Sequence, residues 1–324
     1  MLHLHSKKLL MQTSASKGTF FAVARNSNVG ACSTDGQNWT QFTLPKSTKW
    51  EQLAYNKGRL LVLAYSYWEQ IPFTMLYSDD NGKNWDSVSF SHSFNGPALC
   101  AGGDRFFIAD NYPAMVSGGS GTIWQSSDGL SWSQCATIKE LTPYGLRYGN
   151  GIYVLGGSAG YGVVACYSPD GISWSKANSV NKYAGILKPF FKDGVFYGCR
   201  GGNTSYKSTD GKVWTAYTTT NIYNQSPEAP GLAVEGDGIY LLVHSSTKTG
   251  NYVTRYVVSQ DLVNWTELSL PEAPSKVCYG NGLFVMMGQN TNKTYNSKDG
   301  RTWIPGGNLP LSQNWSDIIY GGNE

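Results

Sequence analysis

The chain has 324 residues and a formal net charge of only +3, spread without a basic run. That balance argues against a nucleic-acid partner. Charged residues make up 15%, against 38 glycines, 21 tyrosines and 11 tryptophans, a composition of short strands and tight turns. No apolar stretch is long enough to span a membrane as a helix.

Residues 1–17 are read as an N-terminal extension. They contain three lysines and no apolar run of signal-peptide length, so synthesis in the cytoplasm without a signal peptide is expected. Residues 18–324 show one period throughout and no linker, which predicts a single domain. The repeating element is a heptad, Ser-x-Asp-Gly-x-x-Trp. Its copies begin at Ser33, Ser78 (one residue longer), Ser126, Ser168, Ser208, Ser259 (with Leu262 in place of the glycine) and Ser297. Successive separations are 45, 48, 42, 40, 51 and 38 residues, near the roughly 40–45 of a four-stranded propeller blade.

Before most heptads stands a glycine turn followed by an apolar run, as in Gly58-Arg59-Leu60-Leu61-Val62-Leu63 and Gly282-Leu283-Phe284-Val285. Short branched and aromatic runs bounded by glycine read as buried strands. A further strand ending in tyrosine precedes many of these turns, as in Leu53-Ala54-Tyr55 and Val277-Cys278-Tyr279. Each unit then has strands A, B, C and D, with the heptad as the C–D turn. Asp and Ser accept bonds from turn N–H groups, and glycine supplies positive φ. Asp35, Asp80, Asp128, Asp170, Asp210, Asp261 and Asp299 are therefore read as structural.

The last segment, Trp315-Ser316-Asp317-Ile318-Ile319-Tyr320-Gly321, resembles a strand A that lacks its strand B. Gly18–Ala24 is a strand B that lacks its strand A. The C-terminal strand is expected to complete the first blade and so hide the sheet edges. Seven heptads predict an all-β, seven-bladed β-propeller of four-stranded antiparallel blades. The cysteines, Cys32, Cys100, Cys135, Cys166, Cys199 and Cys278, fall largely on equivalent strands of different blades, too far apart to bridge. Reduced thiols are expected.

The heptad resembles the Asp-box, or bacterial neuraminidase repeat; Ser78, Asp80, Gly82 and Trp85 match its longer form. The resemblance implies a propeller and leaves function open, since the family spans sialidases, other glycoside hydrolases, photosystem assembly factors and sorting receptors. Combined with the Tyr-Gly-Asn-Gly turns, the heptad is also similar to propellers of bacteriophages and prophages. That similarity implies a virion- or tail-associated protein.

A sialidase needs an arginine cluster, and the seven arginines are scattered, with Arg59 and Arg105 in A–B turns. Other glycosidases need two carboxylates flanking the scissile bond, and no pair is legible from spacing. No metal or cofactor motif is present. The loops opposite the heptads instead carry aromatics beside polar groups: Tyr65, Tyr67, Trp68, Tyr112, Tyr161, Arg200, Tyr223 and Tyr252. Such faces suit sugar rings and protein partners alike. The expected function is a non-catalytic binding module, which takes a host-surface glycan or docks on another virion or tail protein, with no membrane insertion. The alternatives are a glycoside hydrolase at the channel mouth and an assembly-factor-like scaffold.

Overall fold

In a computed structural model the described residues are 18–66, 71–90, 92, 94, 97–110, 120–139, 142–158, 165–178, 189–198, 204–220, 233–248, 251–311 and 314–322. They form 26 strands and no helix. The first blade contains β1 (Thr19–Ser33), β2 (Thr40–Asn56), β3 (Arg59–Ser66), β4 (Ile71–Ser78) and β5 (Asp86–Val88). Next come β6 (Ala98–Gly102), β7 (Arg105–Asp110), β8 (Ser120–Ser126) and β9 (Ser133–Lys139). They are followed by β10 (Thr142–Gly149), β11 (Ile152–Ser158), β12 (Ala165–Ser168) and β13 (Ser175–Lys176). Then β14 (Pro189–Lys192), β15 (Val195–Gly198), β16 (Thr204–Ser208) and β17 (Thr215–Thr218) form a blade. β18 (Ala233–Gly236), β19 (Ile239–Lys248), β20 (Asn251–Ser259) and β21 (Thr266–Leu268) form another. The last blade is β22 (Pro274–Gly280), β23 (Leu283–Gly288), β24 (Lys293–Ser297) and β25 (Ile304–Asn308), and β26 (Trp315–Gly321) ends the chain.

The expectation of seven four-stranded blades is corrected. The strands form six sheets: five of four strands and a first one of six, ordered β26-β1-β2-β3-β4-β5. The cause lies in the first two repeats. There Arg25 pairs with Lys49 and Ser27 with Thr48 beyond the pairs from Val29↔Thr43 to Cys32↔Thr40, so β1 and β2 stay joined across two register shifts. The first sheet thus carries two heptads. The predicted closure is present: β26 pairs antiparallel with β1 from Thr19↔Gly321 to Ala24↔Trp315.

Alternation along each strand explains why the runs are apolar at every position. In β3, Leu60, Val62 and Ala64 pack towards Phe21, Val23 and Trp50, while Leu61 and Leu63 pack against Phe106 and Ile108 of the next blade. In β1, Phe20 and Ala22 meet Val285 and Met287 of the last blade. Successive side chains of a strand point to opposite faces, and both faces are covered. Each large side chain so buried is worth about 1.5–3 kcal/mol.

A second device locks neighbouring blades near the axis. The tyrosine or phenylalanine that ends one inner strand lies against the terminal glycine of the inner strand before it. A Cβ on Gly236 would fall 2.0 Å from the Tyr279 ring, and one on Gly280 would fall 1.9 Å from Tyr320. Gly321 meets Tyr55 and Gly149 meets Phe191 in the same way.

Cys32, Cys100, Cys135, Cys166 and Cys278 are unbridged, and Cys199 lies outside the described residues. Burial pushes the Cys135 thiol up to about 11 and Cys166 up to about 12, and holds Cys278 well above its ordinary value. The thiolate is the reactive form. Iodoacetamide at neutral pH is therefore expected to spare Cys166 and Cys278 in the native protein and to label both in urea. Rapid labelling of either in native protein, read by peptide mapping, would contradict their burial.

Candidate functional site

The heptads build similar corners. In all seven the serine hydroxyl donates to Asp Oδ1 at 2.8–3.0 Å. That same oxygen accepts two backbone N–H groups further along the turn, as in Ile172 (2.8 Å) and Ser173 (2.7 Å) to Asp170. Trp85, Trp132, Trp174 and Trp214 donate Nε1–H to the heptad glycine carbonyl at 2.9–3.1 Å. In the sixth copy Trp265 does the same to Leu262, which takes the left-handed conformation (φ 61°) in place of glycine.

Bonds from turn N–H groups favour the ionised carboxylate. They hold Asp80, Asp170 and Asp299 down at about 2 and Asp35 lower still. A group whose folded pKa is depressed stabilises the fold above its unfolded pKa and loses that contribution as pH falls through the folded value. The urea midpoint is therefore expected to hold from neutral pH down to about pH 4, the unfolded aspartate pKa, and then to fall towards pH 2. A midpoint flat across that lower window would show that the corners do not use ionised aspartates.

The A–B turns share this face. Asn150 Nδ2 donates to Gly194 O (2.7 Å) and Thr209 O (3.4 Å), joining one blade's turn to the next blade's turn and heptad. The opposite end of the axis holds a polar cluster. Asp317 on β26 accepts the Leu53 N–H of β2 at 2.8 Å and faces Lys276 of β22 at 3.7 Å. Gln52 on β2 donates to Pro97 O (2.8 Å) and accepts from Leu99 N (2.5 Å) of β6. These side chains tie successive inner strands, β22 to β26 to β2 to β6. Beside them Arg25 pairs with Glu51, whose carboxyl is raised by burial against the lowering effect of Arg25. Further round, Arg147 of β10 reaches Glu235 of β18 at 2.8 Å.

Of the aromatic and basic residues read as ligand-binding, Tyr65 joins this cluster. Gln52 Nε2 donates to its hydroxyl at 3.4 Å, and burial raises its pKa. Tyr252 sits on β20 opposite Thr247. Tyr67, Trp68, Tyr112, Tyr161, Arg200 and Tyr223 lie outside the described residues. Sequence reasoning left the arginines scattered and found no carboxylate pair by spacing, so it did not join Arg25 to Glu51, and it missed Gln52, Lys276 and Asp317. The available signal was a polar residue just before the apolar end of an inner strand, as in Lys276 before Val277-Cys278-Tyr279 and Asp317 before Ile318-Ile319-Tyr320. Among the described residues, no three His, Cys, Asp or Glu side chains come together as a metal site would require.

The fold and this geometry define an all-β propeller. Solved structures agree. One titled "YCF48 bound to D1 peptide" superposes with a TM-score of 0.57 at 15% identity, covering 84% of this chain and 86% of that one. Another, "Crystal structure of Nidogen/Laminin Complex", gives 0.51 at 10% identity, covering 94% and 98%. Identities this low carry the fold alone. No protein-family model and no curated protein matches the sequence.

Proposed function

We propose that the protein is a non-catalytic binding scaffold. It receives a segment of another protein at the mouth of the axis opposite the heptads and serves as a phage-type virion or tail component. One observation carries the reading. Each acid described on the inner strands is already engaged: Glu51 by Arg25, Asp317 by Lys276 and the Leu53 N–H, and Glu235 by Arg147. Glycoside hydrolysis needs one carboxyl as acid and a second as base or nucleophile, both facing the sugar. Here the acids instead hold the ring together and leave a stiff, charged rim.

Both structural neighbours are titled as complexes with a peptide or a protein. They support a protein segment over a glycan as partner. The virion role rests on the resemblance of the heptad and the Tyr-Gly-Asn-Gly turns to phage propellers.

The test is a virion-peptide array run beside a glycan array, with released sugar assayed in the same wells and Trp68→Ala as the variant. Peptide capture weakened in the variant, without sugar release, is the expected result. Sugar release would overturn the non-catalytic reading, and capture of glycans alone would replace the protein partner with a sugar.

A further inference from the structure

The heptad face differs in charge from the chain as a whole. The seven heptads and the turns 56–59, 102–105, 149–152, 192–195, 236–239 and 280–283 all lie among the described residues. Together they carry eleven aspartates against eight lysines and arginines, a net of −3 in a chain whose total is +3. Each heptad aspartate accepts turn N–H groups that favour its ionised form, as Asp170 does from Ile172 and Ser173, so the negative charge is present at neutral pH. Exposed apolar side chains gather on the same face. Six large ones are exposed among the described residues. Ile172, Val213 and Val263 stand in heptads, Ile304 follows the last heptad tryptophan, and Tyr148 precedes an A–B turn; only Leu311 falls elsewhere. Val213 is 54% exposed and Ile304 56%. One exposed apolar residue is ordinary, but five of six on one acidic face fit a cover that is both basic and apolar.

The chain contains such a segment and delivers it to this face. Residues 1–17, outside the described residues, hold Leu2, Leu4, Leu9, Leu10 and Met11, the lysines Lys7, Lys8 and Lys17, and no acid. The segment joins the described chain at Gly18, whose N–H donates to the Tyr320 hydroxyl at 2.8 Å. Thr19 pairs with Gly321 as Ile152 pairs with Gly149 across an A–B turn. Residues 1–17 therefore leave from the place where the other units have that turn, on the heptad side. Seventeen residues span at most about 60 Å, and a folded chain of this length has a radius of gyration of about 20 Å, so the whole face is within reach. A tether holds its free part near the face at about millimolar effective concentration, and a weak contact is then enough.

We infer that residues 1–17 fold back over the heptad face as a strap, with Lys7 and Lys8 on its aspartates and the leucines on its exposed apolar side chains. The three lysines of the strap match the excess of three aspartates on the face. The chain's own segment fits better than a separate partner, because it is tethered at that face and already has the complementary charge. This inference stands apart from the partner proposed for the opposite face, so either can fail alone.

Carbodiimide cross-linking of the full chain tests it, because the reagent joins an amine to a carboxylate only where the two touch. Light and heavy-isotope protein are mixed, cross-linked and read by peptide mapping. Lys7 or Lys8 is expected to be joined to heptad-face aspartates within single chains, with a yield that falls as added salt screens the charges. The absence of such links, or links from Lys7 and Lys8 to Glu51 or Asp317 at the opposite mouth instead, would overturn the strap. Links between heavy and light chains alone would assign the segment to a second copy and overturn the folding back. Trypsin gives a second readout on the full chain. Cleavage after Lys8 is expected to run about tenfold faster in the double variant Ile172→Ser, Val213→Ser than in the parent. Both side chains are exposed, so the two proteins are expected to melt alike. Equal cleavage of parent and variant would overturn the apolar contact, and the cross-links carry the test if the variant does not fold.

Discussion

Removing Trp315–Gly321 is expected to abolish the cooperative fold. The segment is β26, which pairs with β1 through six register positions. It also supplies Trp315 and Ile318, which are buried against Phe20, Val285 and Met287. Truncating a buried tryptophan costs about 3–5 kcal/mol and an isoleucine about 2–5. Deletion further strips the cover from Phe20 and Ala22, and it removes the Asp317 carboxylate from the Leu53 N–H. Against a typical net stability of about 5–15 kcal/mol, the sum leaves no margin. Size-exclusion chromatography and thermal melts should show aggregated or expanded protein. A truncated chain that stays monomeric and melts within a few degrees of the parent would mean that the closure is not needed.

The second large effect is expected at Gly280→Ala. The added methyl would lie 1.9 Å from Cγ of Tyr320 and within 2.4 Å of two further ring atoms. The ring has little room to retreat: it packs on Phe20 at 5.1 Å between centroids, and its hydroxyl accepts the Gly18 N–H at 2.8 Å. Forcing extra volume into a packed core costs typically about 1–3 kcal/mol and at times more, and here the chain must open a seam between blades to absorb it. The urea midpoint should fall accordingly, at unchanged slope. Adding Tyr320→Ala to the same chain removes the obstacle, and the double variant should lose less than the sum of the two single changes. Strict additivity would show that the glycine and the ring are not in contact. Gly236→Ala, facing Tyr279 at 2.0 Å, is expected to repeat the result one blade earlier.

Both predictions concern features that were half legible in the sequence. The tyrosines ending the inner strands and the glycines after them were visible as a recurring pair. That each tyrosine lies on the glycine of the preceding blade was not, because the contact joins residues about forty positions apart. The candidate site divides in the same way. Tyr65 was marked as an aromatic beside polar residues. Its neighbours Gln52, Lys276 and Asp317 come from three inner strands, and only the ring places them together.

By itself the sequence determined the repeat, the strand class, the turn chemistry and the joining of the two ends. These follow from local rules: apolar runs bounded by glycine, serine and aspartate that bind turn N–H groups, and a strand A at one end that lacks its partner at the other. Only the tertiary structure decided that the first two repeats share one sheet and that the blades number six. A break between blades depends on whether backbone hydrogen bonds continue from Arg25 to Lys49 and from Ser27 to Thr48. No side-chain pattern encodes that, since a ladder is made by main-chain groups that every residue but proline carries in full.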